Sequence, residues 1–591
     1  MTTQTLHYIV EPHDLAGHRL KITLKIAQAA KPTQVVGLPA WIPGSYLIRD
    51  FSRHVESIRG RHGGRWHQPV KRDDHHWAFE NCSGSLTVEI VVYAWDFSVR
   101  GAHVDDSHAF FNGTSVFLMA KGLEDQPCKV EIKRPPSKKN WRAYTSMPRA
   151  SMRTAADSLG QFVAPDYDAL IDHPFELGTP AVISFEACGA THQMVFTGAI
   201  PNLDIKRIAQ DTQRICEAQI KLFEPLTARA AFLDSAPTYV FMTMVTGSGY
   251  GGLEHRASTA LVCSRQDLPT LHQRTTPDGY VNFLGLVSHE YFHTWNVKRI
   301  KPAAFVPYDL TKPNHTRLLW LFEGFTSYYD DLMLLRSKVI DKDKYLQQLA
   351  KTITGVHAGP GRFKQSLGSS SFDAWTKYYK QDENAPNAIS SYYAKGSLVA
   401  LGLDLVIRQR SNQRFSLDDV MRALWDKFGV LFYQGQPSGL SETGFAKLVS
   451  DTTGVDVRAE LAKWVEGTSD IELKPLLAAQ GIALAWVCKD NTPALGATFK
   501  PDGEFLTIRQ VIEGGPAHQA GLSAGDRLLA CNGLRLGNTL KHLKDLLGAY
   551  QPGDEVLLTA FRDDVLQERL VKLGEPPAST AELKPNPTKA P

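Results

Sequence analysis

Cysteine is scarce and unpatterned in this 591-residue chain. The seven present are Cys82, Cys128, Cys188, Cys216, Cys263, Cys488 and Cys531. They are odd in number, widely scattered and include no CxxC pair. That argues against a disulfide framework or a cysteine zinc site and predicts reduced thiols in a cytoplasm. The start, Met1-Thr2-Thr3-Gln4-Thr5-Leu6-His7, has no basic segment followed by an apolar run, so no secretory signal is expected. Nowhere does an apolar run reach about 18 residues, so no membrane span is expected. Excess charge is missing as well. With 65 Lys and Arg against 62 Asp and Glu, the net charge of +3 gives no reason to expect nucleic acid or an anionic membrane as partner. No repeat recurs at a fixed period.

What is present is ordinary globular composition, 43% hydrophobic and 21% charged, in a chain too long for one core. Residues 1–175 read as a β-rich domain. Leu20, Ile22, Leu24 and Ile26 alternate with polar residues, as do Leu86, Val88, Ile90 and Val92, and Pro43-Gly44 marks a turn. Residues 176–472 carry mainly helical spacing. Residues 473–574 return to short strands and glycine turns. Residues 575–591, rich in Pro, Ala, Thr and Lys, read as a disordered tail. The fold class is therefore multidomain α+β.

The chemistry concentrates at His289-Glu290-Tyr291-Phe292-His293. On a helix, positions i and i+4 share a face, so both imidazoles can reach one metal ion. Neutral imidazole suits zinc, and a catalytic zinc takes three protein ligands. Glu290 is placed to take the proton from the attacking water. Phe283, Leu286, Val287, Tyr291 and Phe292 make the segment apolar, where histidines and a glutamate need partners or a metal. The third ligand is expected from Leu318 to Tyr329, an apolar helix with one isolated acid, Glu323. Asp330 and Asp331 compete for that role but read as a solvated face.

These residues resemble the gluzincin peptidases, and most closely the glycyl aminopeptidases of peptidase family M61. The run from His289 to Pro302 and the stretch Leu38-Pro39-Ala40-Trp41-Ile42-Pro43-Gly44-Ser45-Tyr46 carry the likeness. It implies a β N-terminal domain, a thermolysin-like catalytic domain, a C-terminal PDZ-like module and one zinc per chain. Gly251-Gly252-Leu253-Glu254-His255 is similar to an element of the M1 aminopeptidases whose glycines admit substrate backbone and whose glutamate binds the free α-amine. Here Leu253 and His255 replace Met and Asn. Tyr392-Tyr393-Ala394-Lys395-Gly396 resembles a Tyr-x-Lys-Gly element whose tyrosine stabilises the oxyanion; Tyr393 matches it and Tyr392 is its rival. Ser327 stands where clan members place a carboxylate that orients the first histidine.

Two other acid and histidine groups stand out. Asp73-Asp74-His75-His76 reads as a solvated loop, because adjacent histidines on a strand face opposite ways. The resemblance, in which the N-terminal domain packs over the cleft, implies that His103-Val104-Asp105-Asp106-Ser107-His108 borders the active site. From Glu513 to Gly533 the sequence resembles the PDZ domains of bacterial proteases, with Leu495-Gly496-Ala497-Thr498 as the loop for a peptide C-terminus. The expected function is zinc aminopeptidase action on peptides, and the resemblance implies a preference for small N-terminal residues such as Gly and Ala. The alternatives are a PDZ-assisted zinc endopeptidase and an inactive PDZ adaptor.

Overall fold

The computed structural model describes residues 4–82, 84–151 and 158–586. The chain divides into two compact units: Met1–Asn314 with Tyr329–Ile340 and Met421–Glu442, and His315–Tyr328 with Asp341–Val420 and Thr443–Pro591.

The first unit begins as the alternating pattern requires. Leu6–Asp14, Arg19–Ile26 and Leu86–Tyr93 are neighbouring strands of an eight-stranded sheet. Leu20, Ile22, Leu24, Leu86, Val88 and Ile90 lie fully inside, while the intervening polar residues face outward. Two four-stranded sheets complete the β-rich region. A five-stranded sheet follows, ordered Ala181–Ala187, Ala190–Thr197, Thr238–Thr246, Ser258–Ser264 and Tyr250–Glu254. Val240, Met242, Leu253 and Ala260 from this sheet join the same core as the β-rich region. Burying each such aliphatic side chain contributes about 1.5–3 kcal/mol. The strand Tyr250–Glu254 is the sheet edge, antiparallel to Ser258–Ser264.

The long helix Asp278–Phe292 belongs to this unit. Val281, Phe283, Leu284, Val287, Tyr291 and Phe292 are at most 1% exposed, so it is buried nearly all round. Asp278 in its first turn complements the helix dipole.

In the second unit the helices include Lys342–His357, Ala394–Arg410 and Gly444–Thr453. π-helical turns occur at Trp425–Gly429 in the first unit and at Ala462–Glu466 in the second. The last sheet runs through Ala497–Asp502, Phe505–Val511, Arg527–Cys531, Glu555–Arg562 and Val565–Lys572. Its Asn532-Gly533 turn has both φ angles positive, 48° and 76°, as a tight hairpin turn demands.

The segment read as a disordered tail needs correction. Thr580–Pro585 is a strand that pairs antiparallel with Ile482–Val487. Ala581 is 3% exposed and its N–H donates to Thr354 Oγ1 at 2.9 Å. The short alternation Ala581, Glu582, Leu583, Lys584 is enough for a strand once a partner strand exists, though too short to outweigh the composition in the sequence alone. Residues 587–591 lie outside the described residues.

Among the described residues no helix is long and apolar enough to cross a membrane.

Candidate active site

Glu290 sits in the last turn of the Asp278–Phe292 helix and His293 caps it, with its N–H donating to His289 O at 3.2 Å. The expected helical register therefore holds through the motif. His289 Nε2 and His293 Nε2 meet at 3.1 Å. His289 Nδ1 lies 3.0 Å from Asp330 Oδ2, and His293 Nδ1 lies 2.8 Å from the carbonyl of Asn296. A carboxylate and a carbonyl only accept, so with these partners each ring carries its proton on Nδ1. Two lone pairs then face each other at Nε2, an arrangement that a cation between them relieves. Tetrahedral zinc with bonds of about 2.0–2.1 Å has ligand–ligand edges of about 3.3–3.4 Å, close to this separation. The donor pair fits the metal.

Asp330 is the partner that sequence reasoning set aside. The orienting role expected at Ser327 falls to Asp330, and Asp330 is not a solvated acid. Burial pushes its carboxyl up from the ordinary value, against the pull of the His289 hydrogen bond. Ser327 donates its backbone N–H to Glu323 O at 2.8 Å. Asp330→Asn is expected to weaken metal affinity about 10–100-fold, because an amide does not enforce the ring tautomer. Competition with a chelator of known affinity measures this; wild-type affinity in the variant would exclude the role.

Glu254, Glu290 and His293 also converge, with one donor atom from each within 4.8 Å of the others. Gly252 explains how the edge strand comes so close to Glu290. A Cβ on Gly252 would stand 2.0 Å from Glu290 Oε1. A Cβ on Gly251 would meet nothing within 4 Å, leaving room beside the strand. Glu254 is 4% exposed, and its Oε1 is buried with no hydrogen-bond partner among the described residues. Such an oxygen is costly unless a donor arrives. The turn at Gly44, with φ of +93°, closes over it: a Cβ there would stand 2.5 Å from Glu254 Oε2.

His255 takes a supporting place. Its Nδ1 lies 3.0 Å from Asp172 Oδ1, and Asp172 also accepts from Arg256 Nε at 3.0 Å and Lys298 Nζ at 2.9 Å. Those cations hold the Asp172 carboxyl well below its usual range in spite of burial. The network anchors the chain just beyond Glu254. Lys301, 3% exposed, lies 4.5 Å from the ring centre of Tyr308 and 4.6 Å from that of Phe432. Burial pushes its ammonium down from 10.5 to about 7, with Asp168 and Asp172 opposing the shift. Between these two values the unfolded chain binds a proton that the folded chain does not. Stability from this residue therefore rises with pH across that window, by up to about 1.4 kcal/mol per unit. Relative to Lys301→Met, the wild type should gain stability from pH 7 to 9 in denaturant unfolding. A pH-independent difference would contradict this.

In the second unit Glu323, 2% exposed, lies where the short helix Leu319–Phe322 passes into Gly324–Arg336. Gly324 packs on Gly396, where a Cβ would stand 2.6 Å from Gly396 Cα. The Tyr-Ala-Lys-Gly element is thus set against the backbone beside Glu323. Burial, reinforced by the Glu323 charge, raises the Tyr378 and Tyr392 phenols. Tyr392 is fully buried, whereas Tyr393 is half-buried with its hydroxyl 3.4 Å from that of Tyr379. Tyr378 and Tyr379 were missed; a tyrosine doublet in a polar stretch was their only signal.

The chain matches the family described as M61 glycyl aminopeptidase over residues 282–399, the peptidase M61 N-terminal domain over 7–179 and the PDZ domain over 493–573. A crystal structure of an aminopeptidase N family protein from Idiomarina loihiensis is 40% identical with a TM-score of 0.92, covering 98% of each chain. An M1 zinc metallopeptidase from Deinococcus radiodurans is 14% identical with a TM-score of 0.47, covering 79% of this chain and 94% of its own. Among curated proteins nothing matches. Fold and family together make this protein a metallopeptidase. More specifically, the chain belongs to the M61 glycyl aminopeptidase family.

Proposed function

We propose that the protein is a zinc-dependent aminopeptidase that removes small N-terminal residues such as Gly and Ala from peptides. The observation that carries this is the pair of imidazole nitrogens 3.1 Å apart, each ring already partnered at Nδ1. His289 and His293 would hold one zinc, with Glu323 as third ligand. Glu323 is the single acid in the apolar stretch from Leu318 to Tyr329. When bound, zinc supplies Lewis acidity at the scissile carbonyl and makes water a better nucleophile at neutral pH.

The remaining steps belong to side chains. Glu290 accepts the proton of the attacking water and returns it to the leaving amine. Tyr393 donates to the developing oxyanion, a role its partial exposure permits and the burial of Tyr392 disfavours. Glu254 Oε1 receives the substrate α-ammonium, and the Gly44 turn leaves no space for a longer chain beyond it. The glycine strand Gly251-Gly252 offers an edge along which substrate backbone can lie. The preference for small residues rests on the family description.

In the PDZ-like module, Leu495, Gly496, Ala497 and Thr498 line a cavity of about 560 Å³ together with Phe499 and Leu543. A peptide C-terminus is the proposed occupant. Seven free thiols fit the cytoplasmic setting of this reading.

Elemental analysis combined with free and N-acetylated forms of the same short peptides tests the proposal. Bound zinc and cleavage of the free forms alone are expected. Absence of metal before and after zinc addition would sink the zinc reading. Equal cleavage of both forms would replace the aminopeptidase with an endopeptidase.

A further inference from the structure

A second group of ligand-type side chains sits at the tip of the hairpin formed by Ala102–Val104 and Ala109–Phe111. Within six consecutive positions it presents His103, Asp105 and His108. One donor atom from each lies within 4.8 Å of the other two. We propose that these three side chains bind a second divalent transition ion of the zinc class, independently of His289 and His293.

The loop that carries them is held by its own hydrogen bonds. Asp105 N–H donates to His108 O at 3.0 Å. Asp105 Oδ1 accepts from Ser107 N–H at 2.7 Å, the Ser107 hydroxyl at 2.6 Å and His108 N–H at 3.0 Å. The second oxygen, Oδ2, stands 3.3 Å from His103 Nε2. That matches the edge of about 3.3–3.4 Å between two ligands of one tetrahedral zinc.

Each histidine is prepared differently. His108 Nδ1 lies 3.1 Å from Glu176 Oε1, and Glu176 is 1% exposed and also accepts from the Thr197 hydroxyl at 2.9 Å. A buried carboxylate on Nδ1 leaves the Nε2 lone pair for a metal, the arrangement found behind ligating histidines. It repeats what Asp330 does for His289. His103 is 3% exposed, and its Nδ1 is buried with no hydrogen-bond partner among the described residues. Its ring is packed 4.7 Å from Trp95 and edge-on 4.8 Å from Phe97. The Asp105 side chain is 26% exposed, which gives an ion a way in from solvent.

The donor set decides the kind of ion. Two imidazoles and one carboxylate suit zinc, cobalt or ferrous iron, whereas magnesium and calcium prefer all-oxygen sites. Three protein ligands leave at least one coordination position open.

The test uses full-length protein stripped by chelator and titrated with zinc alone, with bound metal counted after desalting. His293→Ala removes a donor of the active site, so one zinc equivalent should remain in that variant. Adding His103→Gln should abolish it. Should that variant fail to fold, judged by thermal unfolding, Asp105→Asn keeps the Oδ1 hydrogen bonds and should weaken the remaining equivalent more than about tenfold. His103→Gln by itself should lower zinc content while leaving cleavage of free peptides intact. The proposal is overturned if His293→Ala binds no zinc. It is equally overturned if the residual equivalent survives both His103→Gln and Asp105→Asn.

Discussion

Glu290→Gln is expected to keep wild-type metal content and lose about a hundred- to ten-thousandfold in kcat. The amide is nearly the same size, so the Asp278–Phe292 helix and the two histidines should stay in place. What disappears is the ability to accept a proton. Glu290 is 5% exposed and converges with Glu254 and His293. Metal analysis and steady-state kinetics on the same preparation check both halves. Turnover within about tenfold of wild type, a barrier change of only about 1.4 kcal/mol, would remove Glu290 from the base role.

Glu254→Ala should weaken kcat/KM for free peptides by about 2–5 kcal/mol, the usual loss when one partner of a buried charge pair is deleted. The ground for it is the buried Oε1 under the Gly44 turn, which has no hydrogen-bond partner among the described residues. If the ammonium contact only binds, KM rises; if it also sets the carbonyl in place, kcat falls too. N-acetylated peptides bring no charge to this oxygen and should start low and change little. Equal losses for free and acetylated substrates would show that Glu254 does not read the terminus.

Much of this site was legible in the sequence, for reasons that can be traced to particular residues. The helix spacing of His289 and His293 is a local rule, so the structure returned it unchanged. Alternation did the same for Leu20 to Ile26 and Leu86 to Val92. Glu323 stood out because it was one acid among apolar residues. Asp330 did not, because beside Asp331 it looked like part of a wet face; only the fold brings His289 to it. The strand Thr580–Pro585 was hidden for a similar reason, since its pairing strand lies almost a hundred residues earlier. Tyr392 and Tyr393 were indistinguishable by type, and burial separates them. The packing of Gly44 on Glu254 had no sequence signal at all, because it joins segments that no spacing rule connects.

That last contact behaves like the stop on a ruler. In the proposed reading Glu290 and the histidines would fix where a bond is cut, and the Gly44 turn would fix how far from the cut a substrate can begin. The number of residues released per cycle would then be written in the β-rich region rather than beside the chemistry. Shortening the turn around Pro43 and Gly44 together with Glu254→Ala, which removes the charge that would anchor the terminus, should lengthen the product from single amino acids toward dipeptides.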